Sequence, residues 1–165
     1  MITIYFPKTW NIFEMLDWIN QRYDIGKYWI TLISTSNVSI IWGGNYFADI
    51  LPPTMGWLYW RKLMGGDFSD GELAWTSRQS ALREFTICPH GLKKVHPCEK
   101  PVDLMQWCIS LANKDGQIFS IFDPYGGSGS TCRAAKNLKI KSVMIEREEK
   151  YCKAAANRMA QEVLI

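Results

Sequence analysis

The stretch between residues 120 and 131 constrains the fold of this chain more than any other part of the sequence. The apolar run Ser120-Ile121-Phe122 ends in Asp123, and a turn rich in glycine then leads to Thr131. Because glycine has no Cβ, the backbone can turn sharply there and a ligand can approach it closely. The first N–H groups of a following helix have no partner within the helix and would face such a ligand. The stretch therefore predicts a site for a nucleotide-like ligand between a strand and a helix.

Strand and helix patterns alternate around this turn. We predict a strand over 117–122, a helix over 131–138, a strand over 142–145 and a helix over 148–161. Such alternation is typical of parallel sheets with crossover helices, so we expect an α/β fold with a mainly parallel twisted sheet flanked by helices. Further elements are predicted as strands over 2–6, 38–42, 58–60, 72–77 and 83–87, a helix with apolar positions from 12 to 19, and a helix starting at Pro101.

A second acid narrows the class of ligand. Glu146 lies about 23 residues after Asp123, at the end of the next predicted strand, where an acid commonly bonds the hydroxyl pair of a ribose. No Gly-Lys-Ser/Thr follows the turn, which argues against a triphosphate, and the dinucleotide pattern Gly-x-Gly-x-x-Gly is absent. S-adenosylmethionine therefore fits better than NAD, with Asp123 near its cationic methionine end. The alternative is a structural glycine turn followed by a solvated Glu146.

Composition agrees with one globular domain. The chain has 165 residues, of which 47% are apolar and 21% charged, and its net charge of +3 is a weak indication of an anionic partner. The five cysteines are odd in number and lack the close spacing of a zinc site, so we expect reduced thiols and no metal. We find no signal peptide and no apolar run near the roughly 20 residues of a membrane span, and we expect a cytoplasmic protein.

Two motifs together resemble a known family. The run 96–101 reads His-Pro-Cys-Glu-Lys-Pro, and 123–131 reads Asp-Pro-Tyr-Gly-Gly-Ser-Gly-Ser-Thr. In this order, with the cofactor loop late in the chain, they resemble the C-terminal half of the amino-group DNA methyltransferases, which methylate adenine N6 or cytosine N4, in the permuted β-class arrangement. Stretches within 40–53 and 68–77 resemble phage-associated members of that class. The resemblance covers roughly residues 38–161.

The resemblance implies a Rossmann-like methyltransferase fold, S-adenosylmethionine as cofactor and DNA as partner, with adenine favoured as the target base. Glu146 would hold the ribose, and Lys100 with the helix start at Pro101 would bind the methionine carboxylate. The cofactor-binding residues implied in this way are His96, Lys100, Pro101, Asp123, Tyr125, Gly126, Gly127, Gly129, Thr131 and Glu146.

A DNA-facing part of the molecule is also implied by the resemblance. It would form an insertion over about 54–95 in a single methyltransferase-like domain that spans 1–165. Trp57 and Trp60 could add to its surface, although aromatic residues in such a position are more often part of a core. The DNA-binding residues implied are Asn45, Arg61, Lys62 and Arg78.

The sequence departs from the family at its catalytic strand. That strand ends in Asp/Asn/Ser-Pro-Pro followed by an aromatic residue, which hold the amine of the flipped base and stack on its ring. The tetrad is absent: Pro52-Pro53 has the wrong neighbours, and the position ahead of the strand at 38–42 holds Tyr5-Phe6-Pro7-Lys8. Either the chain starts inside a longer enzyme or it carries a degenerate tetrad, and the spacing slightly favours the second. We do not expect Tyr5 to be catalytic.

Three functions therefore remain open. The first is a DNA amino methyltransferase, and the second is a catalytically impaired or truncated relative that binds cofactor or DNA without methyl transfer. Such a relative could act as a homodimer or by pairing with another subunit. A methyltransferase acting on a small molecule fits the order of motifs less well.

Overall fold

The structure is a computed structural model that describes residues 2–6, 33–34, 36–64, 69–89, 95–96 and 98–162, with 2–6 described by their backbone. Within these ranges, seven strands form one sheet. The strands are β1 (Ile2–Phe6), β2 (Val38–Trp42), β3 (Trp57–Arg61), β4 (Gly71–Thr76), β5 (Arg83–Thr86), β6 (Ser120–Asp123) and β7 (Lys141–Met144). The helices with described bounds are α1 (Val102–Ala112), α2 (Ser130–Asn137) and α3 (Glu149–Ala160). The predicted elements are confirmed, except that the helix predicted from residue 12 lies outside the described residues.

The strand order is β5-β3-β4-β2-β1-β6-β7. The pairs β6–β7 and β3–β5 are parallel, and the other four neighbouring pairs are antiparallel. Followed across the sheet, β2, β3, β5, β6 and β7 run in one direction, while β1 and β4 run against them. The prediction of an α/β fold with a mainly parallel sheet is thus confirmed, because five of the seven described strands run in the same direction. The reversal of β4 follows from the short connection after β3, because a crossover to a parallel neighbour needs a dozen or more residues.

The five co-directed strands end at one edge of the sheet, which we call the carboxyl edge. The residues that end them are Trp42, Arg61, Thr86, Asp123 and Met144. Ligands of open α/β sheets bind outside the carboxyl ends of the strands, so this edge is where a site is expected. We call the other edge the amino edge.

β1 lies between β2 and β6, as predicted for a strand beside the cofactor strand. However, it runs antiparallel to β6, with Ile4 opposite Phe122 and Phe6 opposite Ser120. Its C-terminal residues therefore lie at the amino edge, away from the turn that follows β6. The alignment of Tyr5-Phe6-Pro7-Lys8 with a catalytic tetrad required the opposite strand direction. It is not supported by this register, and residues 7 and 8 lie outside the described residues.

Helix α1 packs against the sheet, and the residues buried between them form the core. The predicted apolar stripe of α1 is confirmed, since Leu104, Met105, Cys108 and Ala112 are all buried. Burying each large apolar side chain contributes about 2 kcal/mol relative to leaving it exposed. Trp60 is also buried in this cluster, so it is a core residue and not part of a DNA-facing surface.

Residues 54–95, expected as an insertion, supply three strands to the common sheet. Leu58, Ala74 and Trp75 of these strands are buried. The segment is therefore built into the domain, because β4 pairs with β2 and the buried residues of β3 and β4 belong to the common core. None of the helices in the described ranges is long and apolar enough to cross a membrane.

Candidate functional site

The glycine turn, defined here as residues 124–129, lies at the carboxyl edge between β6 and α2. The Gly126 N–H donates a hydrogen bond of 2.9 Å to the Ile145 carbonyl after β7, and the Gly129 N–H donates one of 2.9 Å to the Gly126 carbonyl. Gly127 and Gly129 have φ values of 53° and 81°. These left-handed conformations favour glycine. The turn is therefore anchored to the neighbouring strand before it enters the helix.

Two glycines of the turn are required by close packing. A Cβ on Gly126 would lie 2.4 Å from Met144 Cε, and a Cβ on Gly129 would lie 2.8 Å from Ala155 Cβ. No side chain fits at either position without displacing β7 or α3. The turn is thus pressed against both elements, which fixes the position of its free backbone groups.

The third glycine faces His96. A Cβ on Gly127 would have His96 ring carbons as its nearest atoms, at 3.6 Å, which is an ordinary packing distance, so the His96 ring covers this side of the turn. The His96 ring is held there by Tyr151, with ring centroids 4.3 Å apart and planes at 63°. Its Nδ1 accepts a 3.1 Å hydrogen bond from the Cys98 N–H. The structure therefore brings the two predicted motifs together.

Asp123 fastens the turn from inside. Its side chain is fully buried, and it accepts hydrogen bonds from the Thr131 hydroxyl at 2.6 Å and the Tyr125 N–H at 3.1 Å. Burial raises the pKa of Asp123 to about 6, with nearby Glu146 adding to the rise and the two hydrogen bonds opposing it. The expectation that Asp123 meets the cationic end of a ligand directly does not fit this burial, so its role is to hold the turn.

Glu146 completes the turn from β7. One carboxylate oxygen accepts the Gly127 N–H at 2.9 Å, and the other accepts the Glu148 N–H at 2.9 Å. An ionised carboxylate has about four acceptor positions, so Glu146 can still accept hydroxyl groups. It also lines a cavity of about 340 Å³ between β7, α2 and α3, a size found for small-molecule sites. The predicted pairing of the glycine turn with the second acid is confirmed in its geometry.

A further ionic network ties the His96 segment to the turn. The Glu99 carboxylate accepts the Ser128 hydroxyl at 2.7 Å and lies 2.6 Å from the Arg158 guanidinium, which also donates to the Ser130 hydroxyl at 2.8 Å. Burial acts to raise the pKa of Glu99, but the bonds from Ser128 and Arg158 outweigh it and the pKa lies below its usual range. Glu99 belongs to the quoted motif, whereas nothing in the sequence pattern pointed to Arg158.

Lys100 has a different partner from the one predicted. The Lys100 Nζ lies 2.7 Å from Glu72, which also pairs with Lys62 at 2.7 Å. The same Nζ lies 5.8 Å from the ring centroids of Trp42 and Trp60. Burial acts to raise the pKa of Glu72, yet the two lysines keep it below its usual range. Two lysines share the one Glu72 carboxylate, and binding of a ligand carboxylate by Lys100 stays a prediction. The buried indole N–H of Trp42 has no hydrogen-bond partner in the part of the chain that is described.

Three of the four predicted DNA-binding residues share the carboxyl edge. Asn45 follows β2 and is exposed, and Arg61 and Lys62 lie at the end of β3. Arg78 instead follows β4, which runs the other way, and it therefore emerges at the amino edge. There its guanidinium pairs with Asp115 at 2.6 Å. Arg78 is thus corrected from a DNA-binding candidate to a structural contact with the chain after α1.

The fold and the site define a class of protein. A glycine turn between a strand and a helix, closed by an acid after the next parallel strand, makes an α/β domain of the methyltransferase-like type. The profile of the DNA methylase family of N6 and N4 methyltransferases matches residues 8–157, so the chain belongs to this family. This confirms the resemblance to the amino-group DNA methyltransferases.

Curated relatives match parts of the chain. It is 34% identical over 92 residues to the type II methyltransferase M.HindIII of Haemophilus influenzae, covering 53% of this chain and 29% of that protein. It is 37% identical over 67 residues to the type II methyltransferase M2.DpnII of Streptococcus pneumoniae, covering 41% and 24%. The chain thus matches less than a third of the length of these relatives.

Solved structures support the fold. The complex of M1.HpyAVI with SAM superposes with a TM-score of 0.61 at 25% identity, covering 90% of this chain and 83% of that chain. A second M1.HpyAVI structure gives a TM-score of 0.54 at 20% identity, covering 87% and 84%, and shows the fold alone. The predicted Rossmann-like methyltransferase fold is confirmed.

Proposed function

We propose that this chain binds S-adenosylmethionine at the glycine turn and serves transfer of its methyl group to an exocyclic amine of a DNA base. The observation that carries the proposal is the hydrogen bond from Gly127 to Glu146, which joins the turn and the second acid into one site. The similar M1.HpyAVI was solved as a SAM complex, which supports the choice of cofactor. Adenine N6 is favoured over cytosine N4 by the phage-like stretches between residues 40 and 77.

The residues present fit such a cofactor. Glu146 retains acceptor positions for the ribose hydroxyls and lines the cavity of about 340 Å³. Tyr125 is 53% exposed beside the turn and can cover a bound ligand. Asp123 and Thr131 keep the turn in shape from the buried side, so they act on the cofactor by positioning the backbone.

When bound, S-adenosylmethionine supplies an electrophilic methyl group on a sulfonium sulfur, which an amine nitrogen can attack. The transfer leaves a neutral thioether and a cationic amine, which releases its proton to water. The protein must hold the base so that the lone pair of its amine faces the methyl group, and a hydrogen-bond acceptor must contact the amine. In the amino methyltransferases a carboxylate or amide of the tetrad provides this acceptor. No Asp/Asn/Ser-Pro-Pro-aromatic tetrad occurs in this sequence.

A second candidate function follows from that difference. The antiparallel register of β1 and β6, which puts Tyr5 and Phe6 toward the amino edge, supports this alternative. In this case the chain would bind the cofactor or DNA without transferring a methyl group by itself. Another subunit would then supply the amine acceptor.

Calorimetry with S-adenosylmethionine tests the cofactor site. We expect Glu146→Ala to weaken cofactor binding at least about tenfold, because hydrogen bonds to a charged group contribute about 1.5–3 kcal/mol each. Glu148→Ala is the matched control, since Glu148 is the exposed acid two residues further on and should leave affinity unchanged. Absence of binding by the unmodified chain would contradict the proposal.

Transfer of a tritiated methyl group to unmethylated DNA separates the two functions. Incorporation that is lost in Glu146→Ala and kept in Glu148→Ala supports the methyltransferase. Cofactor binding without incorporation supports the impaired relative. Digestion of labelled DNA to nucleosides then identifies the methylated base, and label on cytosine alone would overturn the preference for adenine.

A further inference from the structure

The short turn after β2 carries an exposed aromatic residue at the carboxyl edge. We propose that Tyr46 is a stacking platform for an unpaired DNA base and that the neighbouring Asn45 amide binds the edge of the same base. This inference rests on the proposed function, because it assigns the position of the substrate base relative to the cofactor site. It adds Tyr46 to a surface in which the sequence indicated Asn45, Arg61 and Lys62.

Exposure is the first observation. Tyr46 is 82% exposed, the highest value among the exposed large hydrophobic residues of the described ranges. Most other aromatic rings of the sheet region are buried or half-buried, as Trp42, Trp60 and Trp75 show. An exposed tyrosine keeps a planar face for stacking and loses little conformational entropy when it is covered, since it has two side-chain torsions.

The turn that carries Tyr46 is fixed to the sheet. The Gly43 N–H donates a 2.8 Å hydrogen bond to Leu73, and the Tyr46 N–H donates one of 2.9 Å to Gly43. Gly43 has a φ of 74°, and a Cβ there would lie 3.4 Å from the Tyr46 ring. At Gly44 a Cβ would lie 2.5 Å from Trp75 Cβ, so the backbone is pressed onto β4. The ring therefore stands on a rigid support.

The second observation is the position of Tyr46 relative to the glycine turn. β2 and β6 are separated by β1 alone and run in the same direction. Neighbouring strands lie about 4.8 Å apart, so the carboxyl ends of β2 and β6 are about 10 Å apart. A base stacked on Tyr46 thus shares the carboxyl edge with a ligand held at the glycine turn, two strands away.

The chemistry of the pair matches an exposed base. Enzymes that modify bases read the flipped base by stacking and by hydrogen bonds to its pairing edge. The amide of Asn45 has one acceptor and two donors, which complement an exocyclic amine and the adjacent ring nitrogen. Adenine and cytosine both present this pattern. Arg61 and Lys62 at the end of β3 bring positive groups to the same edge, although each faces a glutamate.

The test measures binding of a fluorescently labelled single-stranded oligodeoxyadenylate by anisotropy, without cofactor. We expect Tyr46→Ala to weaken binding about tenfold, because stacking of a base on an aromatic residue contributes about 1–3 kcal/mol. Tyr46→Phe keeps the ring and should stay within about twofold of the unmodified chain. Phe119→Ala is the matched control, because Phe119 is 48% exposed and precedes β6 at the amino edge.

Several outcomes would overturn the inference. They are unchanged binding by Tyr46→Ala, an equal loss in Tyr46→Phe, and failure of the unmodified chain to bind the oligonucleotide. A loss in Tyr46→Ala that comes with a changed elution volume in size exclusion would assign Tyr46 to a contact between subunits, and would also overturn it. Cofactor calorimetry on the same variants keeps the two proposals apart. Lack of cofactor binding rejects the proposed function, whereas oligonucleotide binding by itself decides the role of Tyr46.

Discussion

At the scale of single residues, Asp123 combines two properties that usually exclude each other. Its side chain is fully buried, and it stands at the end of β6 where the ligand site begins. Burying a carboxylate is costly unless hydrogen bonds compensate for lost water. The bonds from Thr131 and Tyr125 supply part of that compensation, and the pKa of about 6 reflects the remaining cost.

This cost predicts a pH-dependent stability difference between the unmodified chain and Asp123→Asn. The folded pKa of about 6 lies above the ordinary value of 3.8, so the unfolded state releases its proton first as pH rises. Ionisation of Asp123 therefore destabilises the fold increasingly between about pH 4 and pH 7, and the asparagine removes this loss. We expect the variant to gain up to about 3 kcal/mol relative to the unmodified chain over this range. Urea unfolding at several pH values measures it, and parallel pH curves would contradict it.

Residues of the site differ in how well the sequence predicted them. Gly127, Glu146 and His96 lie together as the motifs indicate, because a glycine turn and an acid after the next strand are local patterns with a fixed geometry, and their part in cofactor binding stays a prediction. The sequence did not indicate that Lys100 pairs with Glu72 and Arg78 with Asp115. Their charges are balanced by residues far away in the chain, and residue type alone does not reveal such pairs.

At the scale of elements, the segment before α1 is fastened to the glycine turn and to α3 by one ion pair. Glu99 and Arg158 lie 2.6 Å apart with side chains 12% and 18% exposed. Because little water screens this pair, its two members should depend strongly on each other. By contrast, Glu149 and Lys153 of α3 form a 2.7 Å pair whose side chains are 81% and 72% exposed.

A double-mutant cycle compares these two pairs. For Glu99→Gln with Arg158→Met we expect a coupling of about 2 kcal/mol in the free energy of unfolding. For Glu149→Gln with Lys153→Met we expect less than about 0.5 kcal/mol. Urea denaturation of the single and double variants gives both values. Equal couplings would show that Glu99 and Arg158 do not hold the segment in place.

Elements were easier to predict than their pairing. The strands and helices after residue 100 agree with their sequence patterns to within a few residues, because apolar periodicity is a local property. The direction of β1 was not predictable in this way. Strand direction depends on partners, and β1 pairs with residues of β6 more than a hundred positions further along the chain.

At the scale of the whole molecule, a buried pair joins the first strands of the sheet to the helical half. Glu72 belongs to β4, and Lys100 immediately precedes the proline at which α1 begins. The pair fixes the start of α1 on the sheet beside Trp42 and Trp60. Glu72 is half-buried and also pairs with Lys62 at 2.7 Å, so loss of Lys100 leaves this carboxylate with one of its two lysine partners.

We expect Lys100→Met to lower the free energy of unfolding by about 1.5 kcal/mol near neutral pH, because one charged hydrogen bond is lost while Lys62 still pairs with Glu72. Because the pKa of Glu72 is lowered in the folded chain, its ion pairs stabilise the fold above its ordinary pKa of 4.5, and this stabilisation is lost as pH falls. The effect of the variant should accordingly shrink in acid. The change is measured by urea unfolding.

Two further variants control this experiment. Lys153→Met removes an exposed lysine and should stay within about 0.5 kcal/mol of the unmodified chain. Lys62→Met combined with Lys100→Met should lose more stability than the two single variants added together, because only the double variant leaves the Glu72 carboxylate without a lysine. A loss equal to the sum of the single variants would argue against a carboxylate shared by both lysines.

The contacts that hold the glycine turn and the His96 segment also determine when the site can form during synthesis. Glu99 leaves the ribosome before the turn, but Glu146, Tyr151 and Arg158 follow it, and each holds the turn or the His96 segment. A nascent chain that ends before α3 would lack the guanidinium that joins Glu99 to Ser130. Assembly of the pocket therefore waits for α3, and a growing chain would acquire affinity for its ligand late in translation.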